Sequence, residues 1–157
     1  MSFTAFADEL PKGTMVENNA FWPDIDLAEF QEAYRLPGEY REALLADRLR
    51  LGMLWANKEL AGFRARHVEA GRASLSDVPV DDGEMLGDLH PLVLQYVRAV
   101  CCHAKGLLLS DYATMLRKND AQSDAKEAPE TADRWFREAL SALADMQGTM
   151  TIHVEAL

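Results

Sequence analysis

The strongest secondary-structure signal in the chain lies in residues 40–71, which read YREALLADRLRLGMLWANKELAGFRARHVEAG. Apolar side chains recur there at steps of three and four residues, at Leu45, Leu49, Met53, Ala56, Leu60 and Phe63. Such steps place them on one face of an α-helix and fit no strand. We therefore expect one very long helix from about Tyr40 to Ala70, ended by Gly71.

A second apolar face is present on the same predicted helix. Leu44, Leu51 and Trp55 lie off the main stripe. A long helix with two apolar faces usually packs against more than the partner helices of its own chain. These three residues are therefore candidates for a subunit interface. The alternative is that they contact a short first helix within the same chain.

Three further helices are predicted around this one. The first runs from about Leu27 to Leu36, with Asp26 as its N-cap and Glu29 completing a capping box. The others cover about residues 89–116, with Pro91 in the first turn, and residues 129–146, followed by Gly148. The predicted fold class is all-α, a small helical bundle with one very long helix.

The two ends of the chain differ from this helical domain of residues 21–148. Residues 1–20 show no period and are expected to form a flexible N-terminal arm. Residues 149–157 form a strand-like tail, and we expect no other strand in the chain. A lone strand needs a hydrogen-bonding partner, so the tail either has no fixed structure or pairs with another molecule. We favour pairing, and the candidate partner-binding residues are Thr149, Met150, Thr151, Ile152, His153, Val154, Glu155 and Leu157.

An aromatic pair, Phe21-Trp22, directly precedes the first predicted helix. Trp22 stands before a proline, which favours an extended backbone. The pair is a second candidate partner-binding site. The alternative, which we favour, is a lid over one end of the bundle.

Charge and composition exclude several classes of protein. The 157 residues include 26 acids and 16 Lys or Arg, for a net charge of −10. This excess of acid argues against a general nucleic-acid binder and against an anionic membrane as partner. We expect no apolar run long enough to span a bilayer and no secretory signal. The adjacent Cys101 and Cys102 cannot staple distant segments, which favours a reducing compartment.

No motif for catalysis, metal binding or cofactor binding is found. Cys101, Cys102 and His103 are consecutive on a predicted helix, so their side chains point in different directions. The acidic loop of residues 77–88 fails the calcium-loop template, because Pro79 replaces a ligand. We therefore expect no catalytic residue, no metal site and no cofactor, and an enzyme using surface carboxylates with a divalent ion is only a third hypothesis.

Several short strings, in order, resemble the phage head completion proteins of the L family, the head–tail connectors of contractile-tailed temperate phages. The resemblance lies in residues 21–27 (FWPDIDL), 35–36 (RL), 57–60 (NKEL), 63–64 (FR), 69–71 (EAG), 75–79 (LSDVP), 98–100 (RAV) and 133–135 (DRW). It covers roughly residue 21 to the C-terminus. The arm before residue 21 does not match, and residues 110–130 diverge.

The resemblance implies an all-helical structural protein of the virion. It would assemble as a ring, a dodecamer matching the portal, below the portal after DNA packaging, close the head and provide the tail attachment surface. Its implied partners are the portal protein, the tail terminator or other neck proteins, further copies of itself, and packaged DNA only by passage through the ring. The implied location is the head–tail junction, after synthesis in the bacterial host cytoplasm.

A different class of function also fits the sequence. A cytoplasmic helical adaptor or assembly chaperone for a phage structural protein would use the same apolar face and tail. Such a protein would be absent from finished particles, whereas a connector would be present in them.

Overall fold

The computed structural model of the chain describes residues 13–119 and 131–148. For residues 114–119 it describes the backbone alone. Within these ranges the fold is mostly helical, which confirms the predicted all-α class. The helices are α1 (Leu27–Ala33), α2 (Glu42–Glu59), α3 (Ala61–Glu69), α4 (Pro91–Asn119) and α5 (Ala132–Gln147). Two 3₁₀ turns, Leu75–Asp77 and Asp82–Glu84, lie between α3 and α4.

A short antiparallel strand pair precedes the helices. It joins β1 (Met15–Val16) to β2 (Ile25–Asp26). The expectation that no strand occurs outside the tail is wrong here, because two residues per strand are too few for an alternating pattern to show. Residues 13–20, which we assigned to the arm, carry β1, and Val16 is buried in the core.

Helix α1 begins as predicted and ends earlier. The Asp26 side chain accepts a hydrogen bond from the Ala28 N–H at 2.9 Å, which confirms the N-cap. The helix ends at Ala33 rather than Leu36 because Arg35 turns into the left-handed region, with φ of 53°. The Leu36 N–H then donates to the Gln31 carbonyl, as in a Schellman turn.

The single long helix predicted over residues 40–70 is wrong. The chain leaves helical geometry at Leu60, which separates α2 from α3. Ala56, Leu60 and Phe63 are all buried on either side of the break. The apolar period therefore continues through the bend, and periodicity could not reveal it. The longest helix is instead α4.

Helix α4 begins with a side-chain cap that the sequence pattern did not indicate. The Leu92 N–H donates to His90 Nδ1 at 3.1 Å, so His90 Nε2 carries the proton and donates to the Val78 carbonyl at 2.8 Å. Pro91 stands in the first turn as predicted. The predicted stops at Gly71 and Gly148 are confirmed by φ values of 89° and 62°.

The core lies where α4 packs between α2 and α5. At the first contact Gly52 lets α2 approach closely, because a Cβ there would lie 2.7 Å from the Val100 carbonyl oxygen. At the second, Gly106 faces the ring of Phe136. Both glycines remove a side chain where two helices meet, and together they fix α4 as the central helix.

By length and composition alone, residues 91–113 of α4 could cross a membrane, which corrects the expectation that no apolar run suffices. Half of the most apolar 18-residue window in this segment is buried within the described part of the chain. Burial between neighbouring helices is typical of the core helix of a folded domain.

Candidate functional site

The aromatic pair forms a buried lid. Phe21 and Trp22 are both buried, with 2% and 3% of their surface exposed. The Trp22 ring stacks on Tyr96, with centroids 4.7 Å apart, and Phe21 meets it edge-on. The Leu75 N–H donates to the Phe21 carbonyl at 2.9 Å. In this conformation neither ring offers a surface to a partner, and the pair closes one end of the core.

A polar cluster lies beside this lid. Asn18 Nδ2 donates to the Tyr96 hydroxyl at 2.8 Å, and that hydroxyl donates to the side-chain oxygen of Asn57. Asn57 Nδ2 then donates back to the Asn18 side-chain oxygen at 3.1 Å. Burial raises the pKa of Tyr96, so its hydroxyl stays protonated. The cluster fastens the segment before α1 to α2 and α4.

A second cluster, which sequence reasoning missed, surrounds a buried lysine. Lys105 on α4 is 5% exposed. Its ammonium donates to the Tyr34 carbonyl at 2.7 Å and lies 4.2 Å from the ring centre of Trp135 on α5. The Tyr34 ring meets Trp135 edge-on. The available signal was a lysine among small and apolar residues, in the run AKGLLL of residues 104–109. The arrangement joins the end of α1 to α4 and α5.

The predicted subunit-interface residues divide into two groups. Leu44 and Trp55 are partly buried against the core, and Trp55 stacks on His103 with centroids 4.2 Å apart. Leu51 is 42% exposed, and Leu54, three residues further on, is 67% exposed. Sequence reasoning missed Leu54, although the three-residue step from Leu51 places both on one side of the helix. Leu51 and Leu54 form the leucine face of α2.

The predicted tail residues lie outside the described residues. They are Thr149, Met150, Thr151, Ile152, His153, Val154, Glu155 and Leu157. The last described residue is Gly148, whose N–H donates to the Asp145 carbonyl at 3.2 Å and closes α5. The tail therefore begins directly after a completed helix.

The His, Cys, Asp and Glu side chains of the described residues do not form a cluster of metal ligands. Within residues 13–119 and 131–148, no group of three or more His, Cys, Asp or Glu side chains could hold a metal ion. Cys101 and Cys102 are free and buried, and burial raises the pKa of both thiols. What the described surface does present is exposed apolar side chains, among them Leu51 and Leu54 on α2.

Comparison with known proteins gives two matches. Residues 16–157 match the model of the family described as phage head completion protein (GPL). The chain is also 32% identical over 136 residues to the head completion/stabilization protein of Escherichia phage P2, a match that covers 85% of this chain and 78% of that protein. No solved structure shows a significant match.

Proposed function

Because the chain belongs to the phage head completion protein (GPL) family, a family of phage head structural proteins, we propose that it is a head–tail connector subunit. It assembles as a dodecameric ring below the portal after DNA packaging, closes the head and provides the tail attachment surface. Its partners are the portal protein and the tail terminator or other neck proteins. The subunit has no catalytic role, and it reaches the head–tail junction after synthesis in the host cytoplasm.

The observation that carries this proposal is the leucine face of α2. Leu45, Leu49 and Met53 of the same helix are buried in the core, whereas Leu51 and Leu54 remain exposed. Large exposed apolar side chains next to each other are typical of a protein–protein contact. Copies packed side by side in a ring would cover them, and a closed ring leaves none of these surfaces open.

The net charge of −10 suits a channel through which DNA passes. A surface rich in carboxylates repels phosphates, so DNA would slide through such a ring without being held. This supports contact with packaged DNA by passage only.

The first test is electron microscopy of particles from a phage that carries a nonsense mutation in this gene. We expect packaged heads that leak DNA and lack tails, together with free tails of normal appearance. The same stock supplied with the wild-type gene in trans is the control and should give tailed particles. Intact tailed particles from the mutant would overturn the connector proposal and favour the adaptor, which mass spectrometry would then find absent from purified virions.

The second test removes the tail. A stop codon after Gly148 deletes residues 149–157 and leaves α5 with its closing hydrogen bond. We expect unchanged helical content by circular dichroism and loss of incorporation into particles, because the tail would no longer add to a strand or sheet edge of a neighbouring protein. Normal incorporation of the shortened chain would refute the strand-addition part of the proposal.

A further inference from the structure

Helix α3 is almost uncovered. Of its nine residues, only Phe63 is buried and only His67 is half-buried. Val68, near its end, is 47% exposed. A helix this short gains too little from its own propensity to be stable in water and depends on packing. The described part of the chain supplies little of that packing: Phe63 is buried, His67 lies against it, and Arg64 Cζ is 5.9 Å from the ring centre of Phe21.

The surface of α3 and its exit is positive in an otherwise acidic protein. Residues 61–72 contain a single acid, Glu69, and three arginines: Arg64, Arg66 and Arg72. Arg72 donates to His67 Nδ1 at 2.7 Å, and partial burial together with the charges of Arg72 and Arg66 lowers the pKa of His67. The ion pairs found among the described residues lie on other helices, at Arg48 and Arg98.

The opposite charge occurs in residues 81–89, here named the acidic hairpin. Leu86 and Leu89 exchange two backbone hydrogen bonds, of 3.2 and 3.0 Å, around a tight turn at Gly87. The turn leaves Leu86 59% and Leu89 41% exposed. The carboxylates beside them are all exposed and without an ion pair among the described residues: Asp81, Asp82, Glu84 and Asp88.

The base of the hairpin is held firmly. His90, directly after it, donates to the Val78 carbonyl and caps α4, so both ends of the loop are fixed to the bundle. From residue 73 to residue 97 the chain contains five acids and no Lys or Arg. The hairpin is thus fixed at both ends. It carries two exposed leucines and four carboxylates that make no ion pair among the described residues.

We propose that the acidic hairpin of one subunit docks on α3 of a second copy of this chain. Leu86 and Leu89 then lie against Val68, and the carboxylates lie near Arg64, which is on the same side of α3 as Val68, while Arg66 adds positive charge to the field around the helix. Two different, complementary surfaces on one chain form a heterologous contact, which closes into a ring when the rotation between copies allows. This inference rests on the proposed ring and names one contact between its subunits, separate from the leucine face.

Charge reversal on each side tests the contact. One variant carries Arg64→Glu and Arg66→Glu, and the other carries Asp82→Lys and Glu84→Lys. Sedimentation velocity at low ionic strength should show concentration-dependent self-association of the wild type, and each variant alone should lose about tenfold in association constant because like charges then face each other. An equimolar mixture of the two variants should regain association, because opposite charges meet again.

Matched controls are Arg137→Glu and Asp145→Lys, single reversals of exposed charges on α5 that should leave association unchanged. Circular dichroism confirms that each variant is folded. High salt should weaken the wild-type association, since both charged surfaces are exposed.

Three results would overturn the proposal. The first is a wild type that stays monomeric at low ionic strength at every concentration, and the second is a mixture that fails to regain association. The third is that the variant with Arg64→Glu and Arg66→Glu no longer binds duplex DNA but still self-associates. That result would assign α3 to DNA binding. None of these bears on the nonsense-mutant phenotype, so the subunit contact and the connector function fail separately.

Discussion

The hydroxyl of Tyr96 joins three segments that are far apart in the chain. It accepts from Asn18 and donates to Asn57, while its ring supports Trp22. A buried hydroxyl with both hydrogen-bond partners in place stabilises the fold modestly. Removing it costs more, because its two partners are then buried without that hydrogen bond. One oxygen atom therefore helps to hold the segment before α1, beside the strand pair and the buried rings of Phe21 and Trp22.

Replacing Tyr96 by Phe should lower the free energy of unfolding by about 1–2 kcal/mol, because the ring stays and two amide groups lose a partner. Urea unfolding followed by tryptophan fluorescence measures the change. Tyr112→Phe is the control, since Tyr112 is 47% exposed and should tolerate the loss of its hydroxyl. Equal stability of the Tyr96 variant and the wild type would show that the cluster contributes nothing.

A half-buried histidine makes stability depend on pH. His103 lies between the rings of Trp55 and Phe136, and burial lowers its pKa. The unfolded chain then binds protons more readily than the folded chain. The stabilising contribution is complete above the unfolded pKa of about 6.5 and is lost as the pH falls from there through the folded pKa.

We therefore expect the free energy of unfolding of the wild type to fall between about pH 7.5 and pH 5.5. His103→Gln should show a shallower fall over the same interval, measured by urea titrations at each pH. Part of the fall should persist, because the pKa of His67 is lowered as well. Identical pH profiles for the two proteins would contradict this assignment.

Single residues that act locally could be predicted from the sequence. Asp26 as an N-cap and Gly71 and Gly148 as helix stops depend only on neighbouring backbone groups. Tyr96 lies within the helix predicted over residues 89–116, but its two hydrogen-bond partners lie 78 and 39 residues away in the sequence. No local sequence pattern encodes such a contact. The same holds for the contact between the Lys105 ammonium and the ring of Trp135.

Among the elements, α2 and α3 share one apolar period and have different surroundings. Before Leu60 the chain packs against α4, with Gly52 under Val100. Within α3, which follows Leu60, only Phe63 is buried. Periodicity gave the right secondary structure on both sides of the bend. The bend itself and the exposure of α3 depend on tertiary packing, which periodicity does not report.

Two glycines on these helices should respond in opposite directions to the same substitution. Gly52→Ala should lower the free energy of unfolding by about 1–3 kcal/mol, because its Cβ would press on the Val100 carbonyl. Gly62→Ala should raise it by about 0.5–1 kcal/mol, because nothing lies within 4 Å of its Cβ and Ala favours the helix. Thermal unfolding by circular dichroism compares them. Changes of the same sign would contradict the close crossing of α2 and α4.

At the scale of the whole molecule, some large apolar side chains are left exposed by the part of the fold that the structure describes. Leu51 and Leu54 are exposed on the helix that also supplies much of the core. Of the three residues proposed from sequence for a subunit interface, Leu44 and Trp55 pack inward and Leu51 does not. The sequence showed that α2 has two apolar faces, but which of them the chain covers depends on where α4 and α5 lie.

Replacing Leu51 and Leu54 together by Lys should change the free energy of unfolding by less than about 0.5 kcal/mol, because both are exposed. It should abolish incorporation into particles if this face packs against neighbours in the ring, as measured by immunoblotting of purified virions. Leu140→Lys on α5, at a site 55% exposed, is the matched control and should be incorporated normally. Full incorporation of the double variant would remove the leucine face from the proposed ring contact.

The burial of the two cysteines affects how their thiols react with oxygen once the phage particle has left the host cell. A phage particle leaves a reducing cytoplasm for air-saturated water, where an accessible thiolate oxidises with time. Cys101 and Cys102 are enclosed by the bundle and their pKa values are raised, so almost no reactive thiolate forms. We therefore expect both sulfur atoms to stay reduced for as long as the protein remains folded.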